Sequence, residues 1–519
     1  MAIDLLLFNG QWFSPEIGSP RPGGVAISGE RIAARGEDRD LLPLRGPRTR
    51  VVDLRGRLVT PGFNDAHIHF SEGGLSLREV DCRGARSSEE LALRAAARAR
   101  ELGPGAWVTG RGWDHHDFPG ARFPDRAALD RACPENPVFL RRVCGHAAVT
   151  NGLALAIAGL ESRAREGILY ESDLDLVRAK IPEATFAERL AALRVALERA
   201  RTVGLTSVQD EKGWLDVYEA LAASGELTVR ATVWSRLLSP LEELSAWRAS
   251  FARFDRPGAV PLVRPGLLKG YLDGSLGART ALFFEPYADA PAVRGMAVLD
   301  AALARERTVA ADRAGFQVGL HAIGDRAVAT ALDCFEAARA ANGPRGLRHR
   351  VEHAQNVRRE DLPRFPALGA IASMQPSHCS GDMGFVRERL GEARLYEAYP
   401  WRSLLRAGAA IAFGSDFPIE SMDPRAGLYS AVTRLGWDGA GAPLVPEERL
   451  PLGVAIDLFT RGAAFAEHAE HEKGTLEPGK LADLVVFGVD LFALPPRELL
   501  TAPVDATIMG GRIVHERDL

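Results

Sequence analysis

An α/β fold built around a parallel barrel is predicted for this 519-residue chain by three observations. Short apolar runs each carry or deliver a residue that can bind metal: His67 and His69 in TPGFNDAHIHF, Lys269 in LLKGYLDGSLGA, His321 in GLHAIGD, His353 in RVEHAQ and Asp416 in AFGSDFP. A parallel barrel gathers functional residues in this way, at the C-terminal ends of several strands with loops after them. Between the runs lie Ala/Arg/Leu/Glu-rich stretches such as SSEELALRAAARARELG and TFAERLAALRVALERARTVG, and this alternation is the signature of βα units. Both chain ends have a third texture, short alternating runs between Gly and Pro turns, which reads as a small antiparallel sheet.

In chain order, residues 1 to 58 supply the runs IDLLLFNG, GVAISGERIAA and RVVDLRGRLV of that sheet. The first barrel strand then ends in His67 and His69. Residues two apart on a strand share a face, so both imidazoles can point at one centre. Two hundred positions separate His69 from Lys269. If the lysine ends the fourth of eight strands, only two strands are needed between them, yet WVTGRGWD, PVFLRRVCGH, TSVQD and TVRATVWSRL all qualify. An inserted subdomain at about 71–204, rich in loops and carrying GRGWDHHDFPG, is therefore expected after the first strand. Later runs, FQVGLH, HRVEH and AIAFGSD, deliver one further candidate ligand each. From residue 474 onward, ADLVVFGVD and DATIMGGRIVHE return to the texture of the N-terminal region.

Lys269 sharpens the chemistry. Of 64 basic residues only five are lysine, so where only positive charge is wanted this chain uses arginine. Lys269 closes an apolar stretch and precedes the turn-forming pair Asp273-Gly274, which suggests a strand end. Burial disfavours an ammonium and lowers its pKa, and a neutral amine can add carbon dioxide to become an anionic carbamate able to bridge two cations. A buried lysine paired with Asp273 is the alternative.

The ordered set HxH, Lys, His, His, Asp resembles the amidohydrolase superfamily of metal-dependent hydrolases. DGSLGARTA, HAIGDRAV, RVEHAQ, MQPSH and GSDFPIESMDP resemble the branch that includes N-substituted formamide deformylases. The resemblance runs from VVDLRGRLVTPGFNDAHIH to GTLEPGKLADLVVF. It implies a (β/α)8 TIM-like barrel over residues 59–473, and a small β-sandwich domain in which segments 1–58 and 474–519 pair. It also implies two divalent ions, zinc by the ligand types, with His67, His69 and Asp416 on one side, His321 and His353 on the other, and carbamylated Lys269 between. The implied reaction is hydrolysis of a C–N bond (amide, N-formyl or N-acyl amine) by metal-bound hydroxide, with Asp416 accepting the proton and returning it to the departing nitrogen. A mononuclear deaminase without the bridging anion, a cyclic-amide hydrolase, a metal-dependent isomerase or hydratase, and a non-catalytic binding protein are the competing readings.

Other residues are candidates of lesser weight. Trp113, His146 in CGHAAVTN and His378 in MQPSHCSGD are candidate substrate contacts, and His115 and His116 a candidate lid, with Phe118 and Phe123 covering an apolar amine substituent. Each reads equally as a packed or hydrogen-bonded loop residue. Asp273, Asp325 and Glu352 stand next to candidate ligands and are expected to orient imidazoles. His349, His468, His471 and His515 read as surface or structural. GSLGAR lacks the spacing of a phosphate loop. A net charge of −4 gives no reason to expect nucleic acid or an anionic membrane as partner. The five scattered cysteines have no CxxC pair and read as reduced. The N-terminus has no basic start, and its apolar run is too short for a signal peptide or membrane span. A cytoplasmic enzyme acting on a small molecule is expected, with a closed homodimer as the default assembly.

Overall fold

The computed structural model describes the chain apart from residues 1, 143–146, 163, 164 and 171. It contains two compact units, Met1–Gly73 with Ala196–Leu519, and Gly74–Val195.

The first unit holds eight parallel strands: β1 (Phe63–Ile68), β2 (Leu205–Asp210), β3 (Arg230–Arg236), β4 (Val263–Tyr271), β5 (Val318–Ala322), β6 (Arg350–His353), β7 (Ile371–Met374) and β8 (Ala410–Phe413). They pair in sequence order as a near-closed (β/α)8 barrel. Every residue of β1, β2, β6 and β7 is buried, as expected of parallel strands covered on both faces. The polar residues among them that point inward must find partners inside the barrel. Thus Arg350 donates to Gln209 Oε1 at 2.5 Å, to the Ala66 carbonyl at 2.5 Å and to Ser373 Oγ at 2.8 Å.

Between β8 and β1 the barrel is joined by the segment just beyond β8. Asp416 N–H donates to the His67 carbonyl at 2.7 Å, and His69 N–H to the Phe417 carbonyl at 2.9 Å. Gly414 makes this seam possible, because a Cβ there would lie 2.5 Å from His67 N and 2.7 Å from Asp65 Oδ1. Ala66, Ile371 and Ala412 pack with Ala463 and Ala466 in one of the unit's apolar clusters.

The same unit carries a second eight-stranded sheet drawn from both chain ends. Leu58–Pro61 is its hinge: Leu58 pairs in parallel with Gln11 of Leu5–Ser14, and Pro61 lies antiparallel to Leu484 of Leu484–Phe487. Leu5, Leu7, Val25, Val59, Leu484 and Ile508 share one buried cluster, so N- and C-terminal segments form one core.

The second unit has its own five-stranded sheet: Val80–Asp81, Val108–Trp113, Val138–Arg142, Ala147–Thr150 and Ile168–Tyr170. WVTGRGWD and PVFLRRVCGH contribute strands here, whereas TSVQD and TVRATVWSRL become β2 and β3. A loop-rich insertion was the expectation; the segment instead orders itself around Leu91, Val108, Trp113, Val138, Leu140 and Val149. Helix Ser88–Leu102 packs into that core and starts on a built cap, Ser87 Oγ accepting from Glu90 N–H. Among the described residues no helix is long and apolar enough to cross a membrane.

Candidate metal centre

His67 and His69 leave the end of β1 toward the barrel mouth. His67 Nδ1 lies 2.8 Å from Glu352 Oε2, so this nitrogen carries the proton and donates it to the carboxylate. Nε2 is thereby turned into the mouth, 3.1 Å from Lys269 Nζ. Behind Glu352 stands Arg350, its Nε 2.7 Å from Oε1. Burial alone would raise the Glu352 pKa, but Arg350 and then His67 hold it down to about 2. A carboxylate behind a metal-binding imidazole fixes ring orientation and tautomer. For His67, burial first and Lys269 second lower the imidazole pKa, which favours the neutral ring and its free lone pair.

Lys269, near the end of β4, is 4% exposed. Its partner is Glu211, with Nζ 2.9 Å from Oε2; the sequence alternative had placed Asp273 in that role. Glu211 follows β2, is buried, and lies 3.7 Å from His67 Nε2 and 4.0 Å from His69 Nε2. Burial would raise its pKa, but Lys269, His67 and His69 together draw it down to about 2. Sequence reasoning missed this residue. It follows a strand-like run, LTSVQD, that is mostly polar, and the charged DEK triplet resembles an exposed turn.

On the other side, His321 Nε2 lies 3.1 Å from the Gly274 carbonyl and 3.5 Å from Asp273 Oδ1. Nδ1 is left as the ring nitrogen that could bind a metal. Asp273 also accepts backbone N–H groups from Leu282, Ile323 and Gly324, so it ties the β4 and β5 loops together. His353 Nδ1 is 2.7 Å from Gln375 Oε1, which leaves Nε2 free. Its ring stands 4.9 Å from that of His67, 4.4 Å from His321 and 5.9 Å from His378. Burial first lowers the pKa of both imidazoles, His321 to about 4 and His353 well below its ordinary value.

Asp416 connects the two sides. Its Oδ1 is 3.2 Å from His69 Nε2 and 3.7 Å from His67 Nε2, and its Oδ2 is 3.5 Å from His378 Nε2. Burial would raise the carboxyl pKa, but the hydrogen bond from His69, and after it the neighbouring imidazoles, hold it well below the usual range. Asp416 and His353 both have left-handed backbone, φ +56° and +73°. Such conformations cost about 1–3 kcal/mol each and persist where the surroundings impose them, often at functional sites. Ligand atoms of His67, His69 and Glu211 lie mutually within 4.8 Å, as do those of His353, His378 and Asp416.

The remaining candidates fall elsewhere. Trp113 lies in the core of the second unit, its ring wholly buried and its indole N–H donating to the Leu140 carbonyl at 2.8 Å. His115 and His116 follow Asp114 in that unit and both place Nδ1 near its Oδ1, with Arg142 2.7 Å from the carboxylate placing a positive charge in the group. Asp325 accepts from Phe284 N–H at 2.9 Å at the start of helix Asp325–Asn342, where unpaired donors are abundant. His146 lies outside the described residues. A cavity of about 640 Å³ is lined by second-unit residues such as Trp107, Phe139 and Arg141, none of them from the barrel.

The family model for the Amidohydrolase family matches residues 50–515. The chain is 34% identical over 553 residues to the protein LONG AFTER FAR-RED 3 of Arabidopsis thaliana, covering 99% of this chain and 91% of that one. It is 26% identical to an N-substituted formamide deformylase of Arthrobacter pascens, covering 99% and 98%. Among solved structures it resembles an uncharacterized metal-dependent hydrolase from Pyrococcus furiosus, with a TM-score of 0.78 and 31% identity over 95% of this chain and 99% of that one.

Proposed function

From its place in the amidohydrolase family, to which this chain belongs, we propose that it hydrolyses a linear C–N bond, that of an N-formyl or N-acyl amine, at a divalent-metal centre in the barrel mouth. The observation that carries this reading is the convergence of His67, His69, His353 and His378 on one ionised carboxylate, Asp416. The donor set fits divalent ions: the imidazoles of His67, His321 and His353 favoured in the neutral form by burial, and His69 beside the buried carboxylate of Asp416. His67, His69 and Asp416 would hold one ion, His321 and His353 a second, with Lys269 as its carbamate between them. Bound there, such ions supply Lewis acidity that polarises a carbonyl and acidifies water.

The chain's own residues supply the rest. Asp416 accepts a proton on its carboxylate from the attacking water and returns it to the departing nitrogen, so that the amine leaves neutral. His378 Nε2, buried and without a hydrogen bond, is free to orient the substrate carbonyl. Glu352 and Gln375 keep His67 and His353 in the tautomers that present Nε2. Similarity over nearly the whole length to a formamide deformylase supports the choice of amide.

A one-metal centre with unmodified lysine is the second reading, favoured by the Lys269–Glu211 ion pair. A panel of N-formyl and N-acyl amines, assayed for released amine before and after chelation and metal restoration, tests the proposal. Release that is lost and then recovered is expected. No release from any member by metal-replete protein rejects it.

A further inference from the structure

We infer that the Glu211 carboxylate is itself a ligand of the divalent ion held by His67 and His69. This inference rests on the proposed metal centre but adds a ligand from the second barrel strand that the HxH, Lys, His, His, Asp pattern does not contain. Two ligands of one ion, each about 2.0–2.2 Å from it, are at most about 4.4 Å apart. Glu211 Oε2 is 3.7 Å from His67 Nε2 and 4.0 Å from His69 Nε2, inside that limit for both.

The same atoms already surround a positive charge. Lys269 Nζ is 2.9 Å from Glu211 Oε2 and 3.1 Å from His67 Nε2, so the ammonium stands among donors suited to a cation. An ion and an ammonium repel one another and exclude each other from that position. Glu211 is also held ready. Its N–H donates to the Ile68 carbonyl at 2.9 Å, which ties it to the HxH strand. The Tyr271 hydroxyl donates to Oε1, so one oxygen is anchored and the other faces the imidazoles. The competing role is mere neutralisation of Lys269.

Cobalt(II) binding separates the two roles without reference to turnover. In Glu211→Ala, loss of a carboxylate oxygen from the coordination sphere should change the cobalt(II) d–d absorption bands at equal metal loading. Glu211→Gln should weaken cobalt binding at least tenfold, and should do so equally in a Lys269→Ala background, where there is no charge left to neutralise. The inference is overturned if cobalt-loaded Glu211→Ala keeps the parental d–d spectrum at parental stoichiometry. It is overturned equally if Glu211→Gln has no effect once Lys269 is removed, a comparison that stands even where the alanine variant does not fold. Parent protein that binds cobalt but cleaves no amide fails the proposed function and leaves Glu211 as a ligand; parent protein that binds no cobalt fails both.

Discussion

Asp416 is where the chemistry of this site concentrates. It touches both members of the HxH pair and His378, and its carboxylate stays ionised because those imidazoles outweigh its burial. Asp416→Asn keeps the shape and removes the proposed proton acceptor. Turnover should fall by about 10²–10⁴-fold, the usual worth of a general acid or base, with little change in fold by circular dichroism. Near-parental turnover would take the proton-transfer role away from Asp416. At this scale the sequence was legible where chemistry and spacing coincide: paired histidines two apart, and a rare lysine among arginines. Glu211 was not legible, since only the pairing of β2 with β1 brings it beside residues far away in the chain. The partner of Lys269 was hidden for the same reason.

At the scale of elements, the barrel places its residues by register. Tyr271 lies opposite His321, and Ala322 opposite His353, so successive strands carry their imidazoles to a common level. The seam between β8 and β1 depends on a bare backbone at Gly414. Gly414→Ala would push a methyl group into His67 N and Asp65 Oδ1, and should destabilise the protein by about 1–3 kcal/mol, as overpacked sites do. It should weaken metal binding too, since His67 must shift. Denaturant unfolding and chelator competition measure the two effects, and a variant unchanged in both would contradict this account of the seam. The alternation of apolar runs with helical stretches made the βα units readable. It did not reveal which runs belong to the barrel, because a strand of the inserted sheet, such as Val138–Arg142, has the same local texture as β3. Only long-range pairing separates them.

For the whole molecule, buried carboxylates set the response to acid. Glu211 and Glu352, at about 2 in the folded chain against an ordinary 4.5, bind protons in the unfolded state before they do in the folded one. Their contribution is complete above pH 4.5 and is lost as the pH falls toward 2. Asp65 and Asp273 act in the opposite sense. Burial raises both to about 7 from 3.8, so the folded state gains stability as the pH falls from 7 to 3.8. Metal-free protein should therefore be most stable at mildly acid pH and lose stability steeply below 4.5. Glu352→Gln should flatten that acid limb. A limb of unchanged slope in the variant would remove Glu352 from this role.

The meeting of six strand ends, those of β1, β2, β4, β5, β6 and β8, at one mouth gives the molecule a single place suited to divalent ions among the barrel residues described. The metal content of protein purified without chelators and with bicarbonate present, as moles of each transition metal per chain, tests that claim most directly. About two zinc or similar ions per chain are expected, as for a bridged pair held by imidazole and carboxylate ligands. No bound metal, even after supplementation, would contradict the claim.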